Sequence, residues 1–197
     1  MISRTKAEAY LRWAEGLNPG PWVSHSKAVA HSASVIAEHS GLDSERAYTL
    51  GLLHDIGRYK GVSAMMHIYD GYRLLKDDGY EQAAQICITH SFPSQVFEEY
   101  SGQNDCAKEI EAEIRAILKN AVYTDYDRLI QLCDSLALPS GLCLMEKRLI
   151  DVALRHGAND RMLDKWKKLF EIFNDFQKRM GKSLYSFFPD VVQNTFS

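Results

Sequence analysis

The stretch 51-GLLHDIGR-58 decides how this chain is read. An apolar run, Gly51 to Leu53, meets two strongly polar side chains, His54 and Asp55, and a glycine follows two residues later at Gly57. Burying such groups without partners costs several kcal/mol. The pair therefore needs each other, nearby backbone, or a cation. Upstream, Ala47, Leu50 and Gly51 repeat at helical spacing ahead of His54, which predicts a helix over 44–56 with His54 on its buried side. Both polar residues then fall in the last turn before Gly57, where the negative end of the helix dipole disfavours a carboxylate unless a cation is close. Neighbouring helix residues differ by about 100°, so both reach one ion only if it sits off the helix end.

Outward from this point, nearly every segment keeps a helical period, and no run of alternating β-branched residues appears. Helices are expected at 4–15, 23–40, 44–56, 63–77, 80–91, 105–119, 122–138, 143–156 and 160–180. Asn18–Pro21 reads as a loop, Gly41 as a helix C′ residue, and Asp43 or Ser44 as the next cap. Gly57 is expected to end its helix, Pro93 to limit the fifth, and Pro139–Gly141 to separate two late ones. The fold class is all-α: a single domain over 1–197, with its motif region at about 20–140 and helices 143–180 packed on it. The aromatic tail, 181–197, packs on the body or on a second subunit, so a homodimer is an open expectation.

With 197 residues, 46% hydrophobic and 25% charged, the composition is that of a globular protein. A net charge of −3 argues against broad binding to nucleic acid or an anionic membrane. No apolar stretch approaches the roughly 20 residues that span a bilayer. The N-terminal segment lacks the long apolar region of a signal peptide and reads as part of the fold. Cys87, Cys106, Cys133 and Cys143 show no CxxC spacing, which suggests reduced thiols in a cytoplasmic protein and no zinc–thiolate site.

Helical spacing sorts the other polar residues. His25 shares a face with Val29, Ser32 and Ile36, whereas His31 falls among Lys27, Ser34 and Glu38 on a solvated face. His90 follows Ala83, Ile86 and Cys87, and Asp134 lies between Ile130 and Ala137. Asp127, one heptad before Asp134, is a further candidate for the same cleft, and His67 shares its face with Ala64, Asp70, Gly71 and Leu74. Taken singly, each has a bland reading as a hydrogen-bonded core residue. As a set on five helices they would be costly to bury unpaired, and one or two divalent cations would satisfy them together.

His25 in WVSHSKAVAHSASVIAEHSGLD, then LLHDIGR, then Asp134 in LIQLCDSLAL resemble the H…HD…D pattern of the HD-domain metal-dependent phosphohydrolases, and HDIG marks the HDIG-type branch. The resemblance implies an all-helical fold of about nine helices with a metal held by His25, His54, Asp55 and Asp134. In members with two metals Asp55 bridges, and His67 and His90 stand at the places of two further ligands. The pattern is similar to that of the bacterial diadenosine tetraphosphatase-like HD proteins, and more distantly to the HD-GYP phosphodiesterases. From the latter it departs, with His90-Ser91 where paired histidines are common and without the GYP signature.

Imidazole and carboxylate without thiolate suit Fe, Mn, Co, Ni or Zn, with Mg also possible. Two such ions about 3.5–4 Å apart share a water, lower its pKa and clamp a phosphoryl group. Asp55 and Arg58 are the candidate catalytic residues. Arg58 suits substrate phosphate because guanidinium binds phosphate oxygens bidentately, and Lys60 is a second candidate. Tyr59, Tyr69, Tyr72, Tyr123 and Tyr126 offer faces for a base, although packing is the commoner role. The expected partner is a small-molecule phosphate, a nucleotide above all. A metal-containing nucleotide-binding module without turnover, and a helical scaffold of mutually paired polar residues, are the alternatives.

Overall fold

Ser3 starts the first helix, its hydroxyl accepting the Lys6 N–H at 3.3 Å, and α1 runs over Arg4–Leu17. Pro21 opens α2 (Pro21–Ser40), a position where its missing N–H costs nothing. Gly41 closes α2 at φ +80°, its N–H returning to the Ala37 carbonyl. Of the two candidate caps the chain uses Asp43, whose carboxylate accepts the Arg46 N–H at 2.9 Å and starts α3 (Ser44–Leu53). There follow α4 (Met66–Asp77), α5 (Glu81–Thr89), α6 (Lys108–Asn120), α7 (Asp125–Asp134), α8 (Met145–His156), α9 (Met162–Met180) and α10 (Val191–Phe196). Short 3₁₀ segments lie at Ile56–Lys60, Phe97–Glu99 and Leu184–Phe187. This is a computed structural model, and it describes residues 1–196.

All nine expected helices are present, and α10 is an additional one in the tail. Two of the nine stop early. The third ends at Leu53 rather than 56, so His54 and Asp55 stand just past it and Ile56–Lys60 form a 3₁₀ turn. Gly57 is therefore not a helix C′ residue. It is needed because a Cβ there would meet the His67 carbonyl oxygen at 1.9 Å and the Gly71 nitrogen at 2.3 Å. The seventh helix ends at Asp134 rather than 138, and Ala137–Leu138 pair antiparallel with Gly141–Leu142, Ala137 opposite Leu142. Two-residue strands leave no alternation for a sequence pattern to show.

Helix α2 is the central strut, burying Val29, Ala30, Ala33, Ile36 and Ala37. Its alanines let α3 approach closely: a Cβ on Gly51 would lie 2.9 Å from the Ala30 Cα. One contiguous cluster of buried side chains reaches from Ile2 through α2, α3, α5 and α7 to α9 and Val191. The aromatic tail packs on the chain's own body. Leu184 and Phe188 are buried, the Phe187 ring packs at a tilt 4.2 Å from the His39 ring, and the Tyr185 hydroxyl accepts the Met145 N–H at 3.0 Å. All four cysteines are free, three of them buried. Among the described residues, no helix is long and apolar enough to cross a membrane.

Candidate metal centre

Four of the expected ligands stand at helix C-terminal ends. His54 follows α3 directly, with Asp55 after it; His90 follows α5; Asp134 is the last residue of α7. Three helix dipoles thus turn their negative ends toward one place, which favours a cation. His25 reaches it from the first turns of α2, and His67 from the second residue of α4.

The side chains converge. His25, His54 and Asp55 offer donor atoms that all lie within 4.8 Å of one another, and so do Asp55, His67 and His90. Asp55 belongs to both groups. Its Oδ1 lies 3.0 Å from His67 Nε2, 3.7 Å from His90 Nε2 and 3.9 Å from His54 Nε2. Asp134 Oδ1 lies 3.0 Å from His25 Nε2 and 3.9 Å from His54 Nε2, its side chain partly open to the cleft. Five of the six residues are buried.

The backbone settles the tautomers. The Nδ1 atoms of His54, His67 and His90 face the carbonyls of Gly51, Ala64 and Ile86, at 2.7 Å for the first and 3.0 Å for the last. A carbonyl only accepts, so each Nδ1 carries the proton and each neutral ring turns its Nε2 lone pair inward. Burial lowers the pKa of His54 despite Asp55 and Asp134, and with help from His54 it pulls His90 down to about 3. Burial pushes the Asp55 carboxyl up, yet Arg58, His54 and His67 together hold it well below the usual carboxylate range. Asp134 is held low in the same way, chiefly by His25.

A divalent ion fits this donor set. His54 Nε2 is buried and has no hydrogen-bond partner, although it points at two carboxylates. Unpartnered buried nitrogen is costly, and neutral imidazole beside ionised carboxylate is the ligand chemistry of Fe, Mn, Co, Ni and Zn.

Arg58 lies against this centre, its Nε donating to Asp55 Oδ2 at 2.7 Å and its Nη2 3.3 Å from His67 Nε2. Lys60 does not join it. Its ammonium is taken by Asp70 Oδ1 at 2.6 Å, and it does not line the cleft above the histidines. Nor do the five tyrosines considered for base stacking, which bind elsewhere, Tyr123 on the Phe92 carbonyl for example. Asp127 is buried away from the centre, accepting from Gln85, Thr89 and Thr124 and completing the capping box of α7. His31 is exposed, as its face predicts.

A cleft of about 680 Å³ opens over His25, Asp55, Arg58, His67, His90 and Asp134. Its far wall comes from α8 and α9 and brings Arg148, Arg155 and Lys165, none of which the sequence singled out. On amphipathic helices such residues look like any solvated face. Tyr100 completes the rim from the loop after α5.

A family model described as HD domain matches residues 22–138. The chain belongs to the HD domain family. That match takes in all six converging residues and ends before α8. HD domains indicate a superfamily of metal-dependent phosphohydrolases with an all-α fold, in agreement with the architecture and donor set described above. Neither the curated proteins nor the solved structures hold a match to the chain.

Proposed function

We propose that this HD domain hydrolyses a phosphate ester or anhydride of a nucleotide or related small molecule, with one or two divalent transition-metal ions held by His25, His54, Asp55, His67, His90 and Asp134. One observation carries the reading: two histidine groups share Asp55, and His54 Nε2 lies buried between carboxylates without a partner. When bound, such ions lower the pKa of a water and neutralise charge on the phosphoryl oxygens. Imidazoles with Nδ1 anchored to backbone keep their Nε2 atoms aimed without reorganisation. Asp55, as the shared carboxylate, sits at the reacting atoms. Arg58, already oriented by Asp55 at 2.7 Å, presents the rest of its guanidinium to a phosphate oxygen. Within the superfamily, HDIG followed by His67 and His90 supports a place near the diadenosine tetraphosphatase-like proteins.

The test combines metal quantification of protein purified without chelators with a phosphate-ester panel run under Mn, Fe, Co, Ni and Mg. Metal-stimulated product release is expected, and His54→Ala and Asp55→Ala are expected to lose both metal and turnover while keeping the helical circular-dichroism signal. Variants that hydrolyse the panel as the parent does would refute the assignment.

A further inference from the structure

The cleft holds two separate groups of cations. Arg58 stands at the metal centre and is engaged with Asp55. Across the cleft, α8 contributes Arg148 and Arg155, one above the other at a spacing of seven residues. Lys165 on α9 also lines this wall, but its three N–H groups are spent on the Ser91 carbonyl, the Glu99 carbonyl and the Ser101 hydroxyl, at 3.0–3.3 Å. It braces the loop behind His90 rather than offering donors.

Arg148 and Arg155 are different. Among the described residues neither has a carboxylate partner within 4 Å, and Asp151, which lies between them on α8, is taken by Lys147 at 3.1 Å. Arg148 Nε is buried without any hydrogen-bond partner. Arg155 Nε donates only to the Asp151 carbonyl. Burial first and the Arg148 charge next lower the pKa of Arg155, against the opposite pull of Asp151 and Asp134. Arg148 is half-buried and Arg155 exposed, so both line the cleft with guanidinium N–H groups that no side-chain carboxylate of the described residues takes up.

We propose that Arg148 and Arg155 form a second phosphate subsite, so that the substrate carries at least two phosphate groups, one at the metal centre and one against α8. The inference rests on the phosphohydrolase reading for the place of the reacting phosphate. Two planar forks with free N–H groups suit a second phosphate of the same chain, which each can bind through paired hydrogen bonds. A monophosphate fills only one end of the cleft.

The experiment is calorimetric titration of the full, Mn-loaded chain with a methylene-bridged, non-hydrolysable analogue of adenosine triphosphate, beside adenosine monophosphate. The wild type is expected to prefer the triphosphate analogue on the order of 30-fold. In Arg148→Gln/Arg155→Gln that preference is expected to fall to about threefold or less. A preference absent from the wild type, or kept in the variant, overturns the subsite. Should the glutamine pair fail to fold, Arg148→Lys/Arg155→Lys carries the test, because lysine keeps the charge and loses the fork, and an unchanged preference again overturns it. A wild type that shows the preference but hydrolyses no phosphate ester under any ion would remove the phosphohydrolase reading and leave the subsite standing.

Discussion

A Cβ placed on Gly57 would lie 1.9 Å from the carbonyl oxygen of His67. Backbone therefore packs on backbone at the point where the 3₁₀ turn after Asp55 crosses α4, and this contact sets His67 against Asp55. Gly57→Ala is expected to cost at least about 3 kcal/mol, because backbone cannot step aside as a side chain would. For a chain of this size that lowers Tm by roughly 6–12 °C. Gly16→Ala is the control: it lies exposed in α1 with nothing within 4 Å of its would-be Cβ, and its Tm should hold or rise slightly. Equal melting of the two variants would refute the close-approach account.

Metal removal should be visible in stability as well as in turnover. An ion that binds the folded chain alone, at about 100 times its Kd, contributes about 2.7 kcal/mol. Chelation followed by dialysis is expected to lower Tm by roughly 5–11 °C, and re-addition of Mn or Fe to restore it. Asp55→Ala, which removes the carboxylate shared by both histidine groups, should abolish the shift. A chelated wild type with unchanged Tm would speak against a resident ion.

Asp127 and Asp134 sit one heptad apart on α7 but have opposite employment. Asp127 is fully buried, with Oδ1 accepting from Gln85 and Thr89 and Oδ2 from the Thr124 N–H and hydroxyl, at 2.6–3.0 Å. Asp127→Ala strands those donors, and a loss of about 3 kcal/mol is expected on denaturant unfolding. Metal content per folded molecule should stay at the wild-type value. Asp134→Ala should instead lower the metal content, with a loss of stability no larger than chelation causes, about 2.7 kcal/mol.

Thiol chemistry gives a pH-dependent check on packing. Cys87, Cys133 and Cys143 are buried, whereas Cys106 is only partly so. Burial, with Asp105 adding to it, raises the Cys106 pKa to about 11. The thiolate is the reactive form, so at pH 8 Cys106 should alkylate on the order of a hundredfold more slowly than an ordinary exposed cysteine. Below the pKa, its rate should climb about tenfold per pH unit and level off near 11. Mass spectrometry of iodoacetamide-treated native protein reads both the site and the rate; a fast reaction at pH 8 would contradict the burial of this thiol.

Sequence alone determined the nine main helices and which histidines turn inward, because both follow from the helical period within one short segment. His25, His54, His90 and Asp134 could be picked out on inward stripes before any fold was known, and HDIG with its flanking spacings carried the family. Tertiary structure decided what depends on the distance between segments far apart in the chain. It showed that α3 stops at Leu53 and that the turn after it packs backbone to backbone on α4 at Gly57, that Asp127 is spent on a capping box, and that Lys60 turns to Asp70. It also brought Arg148 and Arg155 to the cleft. On a helix a basic residue that faces a cavity and one that faces solvent carry the same local pattern, and only the neighbouring helix tells them apart.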